Sequence, residues 1–242
     1  MNRAFIFDVF GTLVDWREGV ATVARSAFGE RGIDADPHAF ADHWRGRYQP
    51  AMERVRNGGR GYVPLDTLHR ENLDETLAAF DLEAAFDGAA RDDLNRAWEK
   101  LPPWPDVRVG LDGLRRHGLL APCSNGSTAL MTRLSRFGDL RWDAIVGADI
   151  ARDYKPKLEV YRASARALGL EPEQVTMVAA HNDDLTAARA AGLHTAFIPR
   201  PAEHGPGQTK DLKATDNWDF VSDDLTQLAR MAAAETSATN RR

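Results

Sequence analysis

The stretch Ala4-Phe5-Ile6-Phe7-Asp8-Val9-Phe10-Gly11-Thr12 sets a short apolar run against a carboxylate, a glycine and a hydroxyl. A run of that length bounded by turn residues suits a strand buried on both faces. It leaves Asp8 at the strand's carboxyl end, where open α/β sheets bind their ligands, and Gly11 permits a sharp turn beyond it. A carboxylate so placed can attack carbon or phosphorus and form a covalent ester. Taken alone, Asp8 reads equally well as a cap of a turn or helix.

Similar apolar runs recur at residues 119–123, 144–146, 175–179 and 195–198, and helical patterns lie between them at 107–117, 127–137, 158–168 and 185–191. Strand and helix in alternation predict an α/β fold with a doubly wound parallel sheet. Residues 16–99 break the rhythm and read as helices alone, with the apolar stripe Phe40, Trp44, Tyr48, Met52 and Val55. Leu101-Pro102-Pro103-Trp104-Pro105 cannot continue a helix and marks a stiff return. The expected organisation is a core of residues 1–15 and 100–242 carrying an inserted helical cap domain, 16–99. Residues 200–216 read as a long late loop, and 232–242, small or polar, as a fraying end.

With 242 residues, 43% of them hydrophobic and 28% charged, the chain has the balance of an ordinary soluble protein with a full core. A net charge of -5 offers no attraction for polyanions, so nucleic acid is not an expected partner. The opening residues meet a charge too soon for a signal peptide or membrane span, which predicts a cytoplasmic protein. The single cysteine, Cys123, cannot form an internal disulfide, and in an apolar run it reads as a small core residue. The oligomeric state is open, a homodimer included.

Further polar groups follow the later strands: Ser124-Asn125-Gly126, Lys155-Pro156 and His181-Asn182-Asp183-Asp184. Polar groups at four strand ends of one sheet edge converge. In this order, and across nearly the whole chain, Asp-x-x-Gly-Thr, Ser-Asn, Lys-Pro and a late acidic motif resemble the haloacid dehalogenase superfamily. The resemblance implies a Rossmann-like core with a helical cap and Asp8 as nucleophile.

Most members of that superfamily are magnesium-dependent phosphatases with a second aspartate two residues after the nucleophile. Here that position is Phe10, which cannot protonate a leaving alcohol. The acid that helps hold magnesium falls at Ala180. Both substitutions point to the branch that hydrolyses short 2-haloacids without metal or other cofactor. On that resemblance Thr12 orients Asp8 and Lys155 holds its charge, with Tyr161 assisting. Ser124 and the amides of Val9 and Phe10 bind the substrate carboxylate, Arg45 and Asn125 meet the departing halide, and Asp184 positions the hydrolytic water.

The chain departs from the branch at Ala179-Ala180-His181, where a Ser-x-Asn pattern is usual. A histidine can act as a base where asparagine can only orient, so His181 is expected to work with Asp184 on the water. Its plain alternative is a capping or core histidine. A phosphatase with altered acid and metal positions and a non-catalytic binding protein on the same fold are the competing readings.

Overall fold

The computed structural model describes residues 3–239. The chain opens with β1 (Ala4–Phe7). It then makes α1 (Trp16–Gly29), α2 (Pro37–Gly46), α3 (Tyr48–Arg56), α4 (Leu65–Ala79) and α5 (Gly88–Asn95) with no strand among them. Next come α6 (Val107–Leu114), β2 (Leu119–Ser124), α7 (Thr128–Gly138), β3 (Val146–Gly147), α8 (Ala148–Ala151) and α9 (Leu158–Ala167). The remainder is β4 (Val175–Ala179), α10 (Asn182–Ala190), β5 (His194–Phe197), β6 (Phe220–Val221) and α11 (Leu225–Thr239).

The six strands form one sheet in the order β3-β2-β1-β4-β5-β6, and every pair is parallel. Helices on both faces bury it, so β1 and β4 are buried throughout and read as continuous apolar runs instead of alternating. The strand order reverses around β1, with β2 on one side and β4 on the other. The crevice outside that reversal is where such sheets bind ligands. Asp8 and His181 flank it.

Short side chains set the helix starts. Asp15 accepts from the Glu18 amide at α1, Asp36 from His38 at α2, Asp87 from Ala90 at α5 and Ser127 from Leu130 at α7. The stripe from Phe40 to Val55 is buried as its spacing predicts, but two helices carry it. Pro50 has no amide proton for the Gly46 carbonyl, which accounts for the break near Arg47. Trp16, Trp44 and Trp98 are fully buried, and Phe10 packs edge-on against Trp98. The helical insertion therefore shares one apolar core with the loop that follows Asp8.

Several expectations need correction. The third strand is only Val146–Gly147, and α8 separates it from Lys155. A sixth strand, Phe220–Val221, carries no apolar run long enough to read. The end of the chain does not fray from 232: α11 continues to Thr239, and Ala232 is fully buried. Alanine is the strongest helix former, so small residues there favour helix. Residues 240–242 of that expected fray lie outside the described residues. Among the described residues no helix is long and apolar enough to cross a membrane.

The late loop is pinned at two places. The Asn182 side chain donates to Asp211 and to the Lys213 carbonyl, and accepts from the Thr215 amide and the Trp218 indole. Arg200 donates to the Thr12 carbonyl and grips Asp106 with both terminal nitrogens, while Asp106 also accepts from the Leu225 amide.

The contact of α6 with α11 provides a test. Gly110→Ala gains about 1 kcal/mol of helix propensity. Its new Cβ, however, would lie 2.3 Å from Leu225 Cβ and 2.8 Å from the Leu225 carbonyl carbon. Backbone cannot swing aside as a flexible side chain does, so an overpacking cost of about 1–3 kcal/mol is expected to win. The urea midpoint should fall, and a raised midpoint would mean that α11 yields freely.

Candidate active site

Asp8 follows β1 directly, and its amide extends the strand ladder to the Val178 carbonyl at 3.0 Å. Its carboxylate is almost completely buried. Lys155 Nζ donates to Oδ1 at 2.8 Å, and Thr12 Oγ1 donates to Oδ2 at 2.7 Å. The direction of the threonine bond is settled by its other partner: Oγ1 accepts from the Ala180 amide at 2.9 Å, so its proton faces Asp8. Burial alone would raise the Asp8 pKa, but Lys155 and His181 outweigh it and hold the group well below the usual carboxylate range. The Asp8 carboxylate is ionised.

Lys155 also donates to Asp184 Oδ2 at 2.6 Å, and its backbone amide donates to Asn125 Oδ1 at 2.8 Å. Burial opposes its charge, but Asp184 and Asp8 push its pKa above the ordinary lysine value. Tyr161 donates its hydroxyl to Asp184 Oδ1. With Lys155 on one oxygen and Tyr161 on the other, Asp184 holds the lysine in place. Tyr161 is fully buried behind it and does not line the cleft.

Above Asp8 opens a cleft of ≈ 940 Å³ whose lining includes Phe10, Trp16, Arg45, Tyr48, Asn125 and His181. The Arg45 guanidinium lies 3.9 Å from the Tyr48 ring centroid, 5.3 Å from Trp16 and 5.9 Å from Phe10. Its Nη1 is buried and makes no hydrogen bond. An uncommitted N–H among aromatic faces suits a small anion. His69 packs behind this wall, stacked on Trp98 at 4.2 Å, and burial with the Arg45 charge keeps it neutral.

Among the described residues the Val9 and Phe10 amides donate to no protein acceptor, so two N–H groups remain free beside Asp8. Ser124 is fully buried and its Oγ accepts from the Gly126 amide at 3.0 Å. Asn125, oriented by Lys155, reaches the cleft. Cys123 is buried, which pushes its thiol up to about 11, and it faces Ser164 on the far side of the strand.

His181 does not pair with Asp184. Its Nδ1 lies 3.2 Å from Asp8 Oδ2, and its Nε2 lies 2.9 Å and 3.1 Å from the two oxygens of Glu203. Glu203 in turn accepts from the Trp16 indole at 3.0 Å. The expected His181 and Asp184 pair is thus replaced by His181 and Glu203. Glu203 sits in the late loop, where sequence reading saw only a connection. Its one signal was a lone acid in the Gly/Pro-rich segment 201–207. Gly11 makes room for it: a Cβ there would lie 2.0 Å from Glu203 Oε1, and its φ of +89° already favours glycine.

The family model described as haloacid dehalogenase-like hydrolase matches residues 2–192. The chain is 30% identical over 218 residues to the (S)-2-haloacid dehalogenase of Pseudomonas sp. (strain YL), covering 88% of this chain and 90% of that one. The crystal structure of a defluorinating L-2-haloacid dehalogenase superposes with a TM-score of 0.94 at 46% identity, covering 96% of this chain and 95% of that one. The L-2-haloacid dehalogenase of Xanthobacter autotrophicus with chloropropionic acid covalently bound superposes with a TM-score of 0.78 at 25% identity, covering 96% and 99%.

The buried ion cluster predicts a specific stability defect. Lys155→Met leaves Asp184 without a cation and Asp8 with His181 alone, and should cost about 3–5 kcal/mol at neutral pH. Acid then protonates a freed carboxylate, so part of the loss should return as pH falls, and Asp184→Asn in the same chain should recover part of it at neutral pH. Denaturation of the single and double variants checks this. An equal loss at every pH and in both variants would refute the ion-cluster account.

Proposed function

Within the haloacid dehalogenase-like hydrolases, the family to which this chain belongs, we propose that it hydrolyses short (S)-2-haloacids through an ester on Asp8, without a metal ion. The observation that carries this reading is the ionised Asp8 carboxylate, held by Lys155 and Thr12 and followed by Phe10. A phosphatase of this kind needs an acid at position 10 to protonate its leaving alcohol. Halide leaves unprotonated, so an aromatic residue suffices there.

The cation slot argues the same way. Lys155 Nζ fills the space between Asp8 Oδ1 and Asp184 Oδ2, and Ala180 offers no side-chain oxygen. A magnesium ion needs several oxygen ligands at near-octahedral geometry, and these residues do not fit one. An ammonium preserves the nucleophile: it stabilises the anion without occupying both of its oxygens.

The reaction follows from the arrangement. The Val9 and Phe10 amides, with Ser124, take the substrate carboxylate and set C2 against Asp8. Asp8 displaces the halide from the opposite face, toward Arg45 and Asn125, where the aromatic walls strengthen the attraction of the unpaired N–H. C2 inverts. Water then attacks Asp8 Cγ, and His181, backed by Glu203, takes its proton. The (R)-2-hydroxy acid leaves with an oxygen that belonged to Asp8.

Halide release should follow incubation with fluoro-, chloro- or bromo-substituted short acids, survive chelators, and vanish in Asp8→Asn while the fold persists. Chelator-sensitive phosphate release in place of halide release would overturn the reading. A single turnover in heavy-oxygen water separates the ester route from direct attack by water. The label should appear in Asp8 and not in the product, whose C2 should be inverted; label in the first product would exclude the ester.

A further inference from the structure

Neither ring nitrogen of His181 faces a group able to donate to it. Nδ1 meets Asp8 Oδ2 at 3.2 Å, and Nε2 meets Glu203 at 2.9 Å and 3.1 Å. Ionised carboxylates only accept, whereas neutral imidazole carries a single N–H. A neutral ring would therefore turn one lone pair onto a carboxylate oxygen. Both contacts are satisfied only by the imidazolium.

The surroundings agree. Burial would discharge the ring, but Glu203 and Asp8 outweigh it and raise its pKa well above the ordinary histidine value. The other charges nearby do not cancel them. Lys155 is committed to Asp8 and Asp184, Arg45 and His204 act on Glu203, and Asp183, Asp211 and Lys210 border the cleft. An imidazolium, however, cannot take a proton from water.

We propose that His181 rests as the imidazolium and becomes the water-activating base only after ester formation has removed the charge of Asp8. This rests on the dehalogenase reading and adds the order of its proton steps. When Asp8 displaces the halide, the carbon–halogen electron pair leaves with the halide and the carboxylate becomes a neutral ester. His181 then has one anionic neighbour in place of two, and a charge at that distance shifts a titration by about one to three pH units.

The proton on Nδ1, the nitrogen facing Asp8, departs to solvent and with the halide accounts for the acid of the net reaction. Neutral His181 next takes one proton from water as the water oxygen bonds to Asp8 Cγ. The Cγ–O bond to the substrate breaks, and the second water proton ends on the product hydroxyl. Asp8 is again a carboxylate and His181 again an imidazolium. The base is thus absent while Asp8 must stay anionic and present only when an ester awaits hydrolysis.

Two measurements test this. Asp8→Asn substitutes a neutral amide for the carboxylate, much as the ester does. Nitrogen NMR of the ring, assigned with His181→Gln, should give a His181 pKa at least one unit lower in Asp8→Asn than in the unmodified enzyme; identical titrations would overturn the proposal. In a single turnover of the unmodified enzyme with a 2-chloro acid, a pH indicator should report one proton equivalent after chloride release. That proton should appear before intact mass shows loss of the adduct. Proton release only as the adduct disappears would mean a neutral resting ring and would also overturn it. Absence of both chloride and adduct fails the dehalogenase reading instead.

Discussion

One ammonium group between two buried carboxylates organises this protein. Lys155 Nζ reaches Asp8 at 2.8 Å and Asp184 at 2.6 Å with all three side chains nearly removed from water. Dehydrating such ions costs several kcal/mol each even after relaxation, and hydrophobic residues of the same size would often be as stable. The cluster is therefore a constraint that the fold meets for chemistry. Asn125 anchors the lysine backbone, Tyr161 anchors Asp184, and Arg56 reaches from the helical insertion to the Lys155 carbonyl at 2.8 Å. His181 Nδ1 adds a further contact at 3.2 Å on the Asp8 oxygen that Lys155 leaves open.

A second requirement is an aromatic wall opposite. Phe10, Trp16 and Tyr48 surround Arg45, while neutral His69 and Trp98 back them. Phe10 belongs to the loop that follows Asp8 and Tyr48 to the insertion, so the two parts of the chain form the cleft jointly. An anion drawn to Arg45 would meet it in a low-dielectric setting, where attraction is several-fold stronger than in water.

Much of this was legible in the order of residues. Apolar runs revealed β1, β2, β4 and β5 because parallel strands are buried on both faces, and the polar groups after them fell where the sheet edge gathers them. Lys155 and Asp8 meet as their positions at that edge suggest. Glu203 was illegible for a physical reason. Its place depends on Asn182 tethering a loop without periodicity, on the Trp16 indole, and on the missing side chain of Gly11. No local pattern encodes contacts among four separate segments. The partner of His181 was misread for the same reason: Asp184 is close in sequence, but the lysine and Tyr161 already claim both its oxygens.

The Arg200 side chain ties distant parts of the molecule into one mechanical unit. It holds the Thr12 carbonyl at 2.8 Å on one edge and Asp106 on the other, and Asp106 accepts the first amide of α11 at 2.9 Å. Thr12 is the residue whose hydroxyl donates to Asp8 Oδ2. The packing of α11 therefore reaches the Asp8 carboxylate through four consecutive hydrogen-bonded links, of which only the last touches the cleft. Whatever loosens that helix, such as a fusion partner or a lost turn, acts on the aim of Asp8 without touching the substrate. In this protein α11 is part of the lever that points the Asp8 carboxylate.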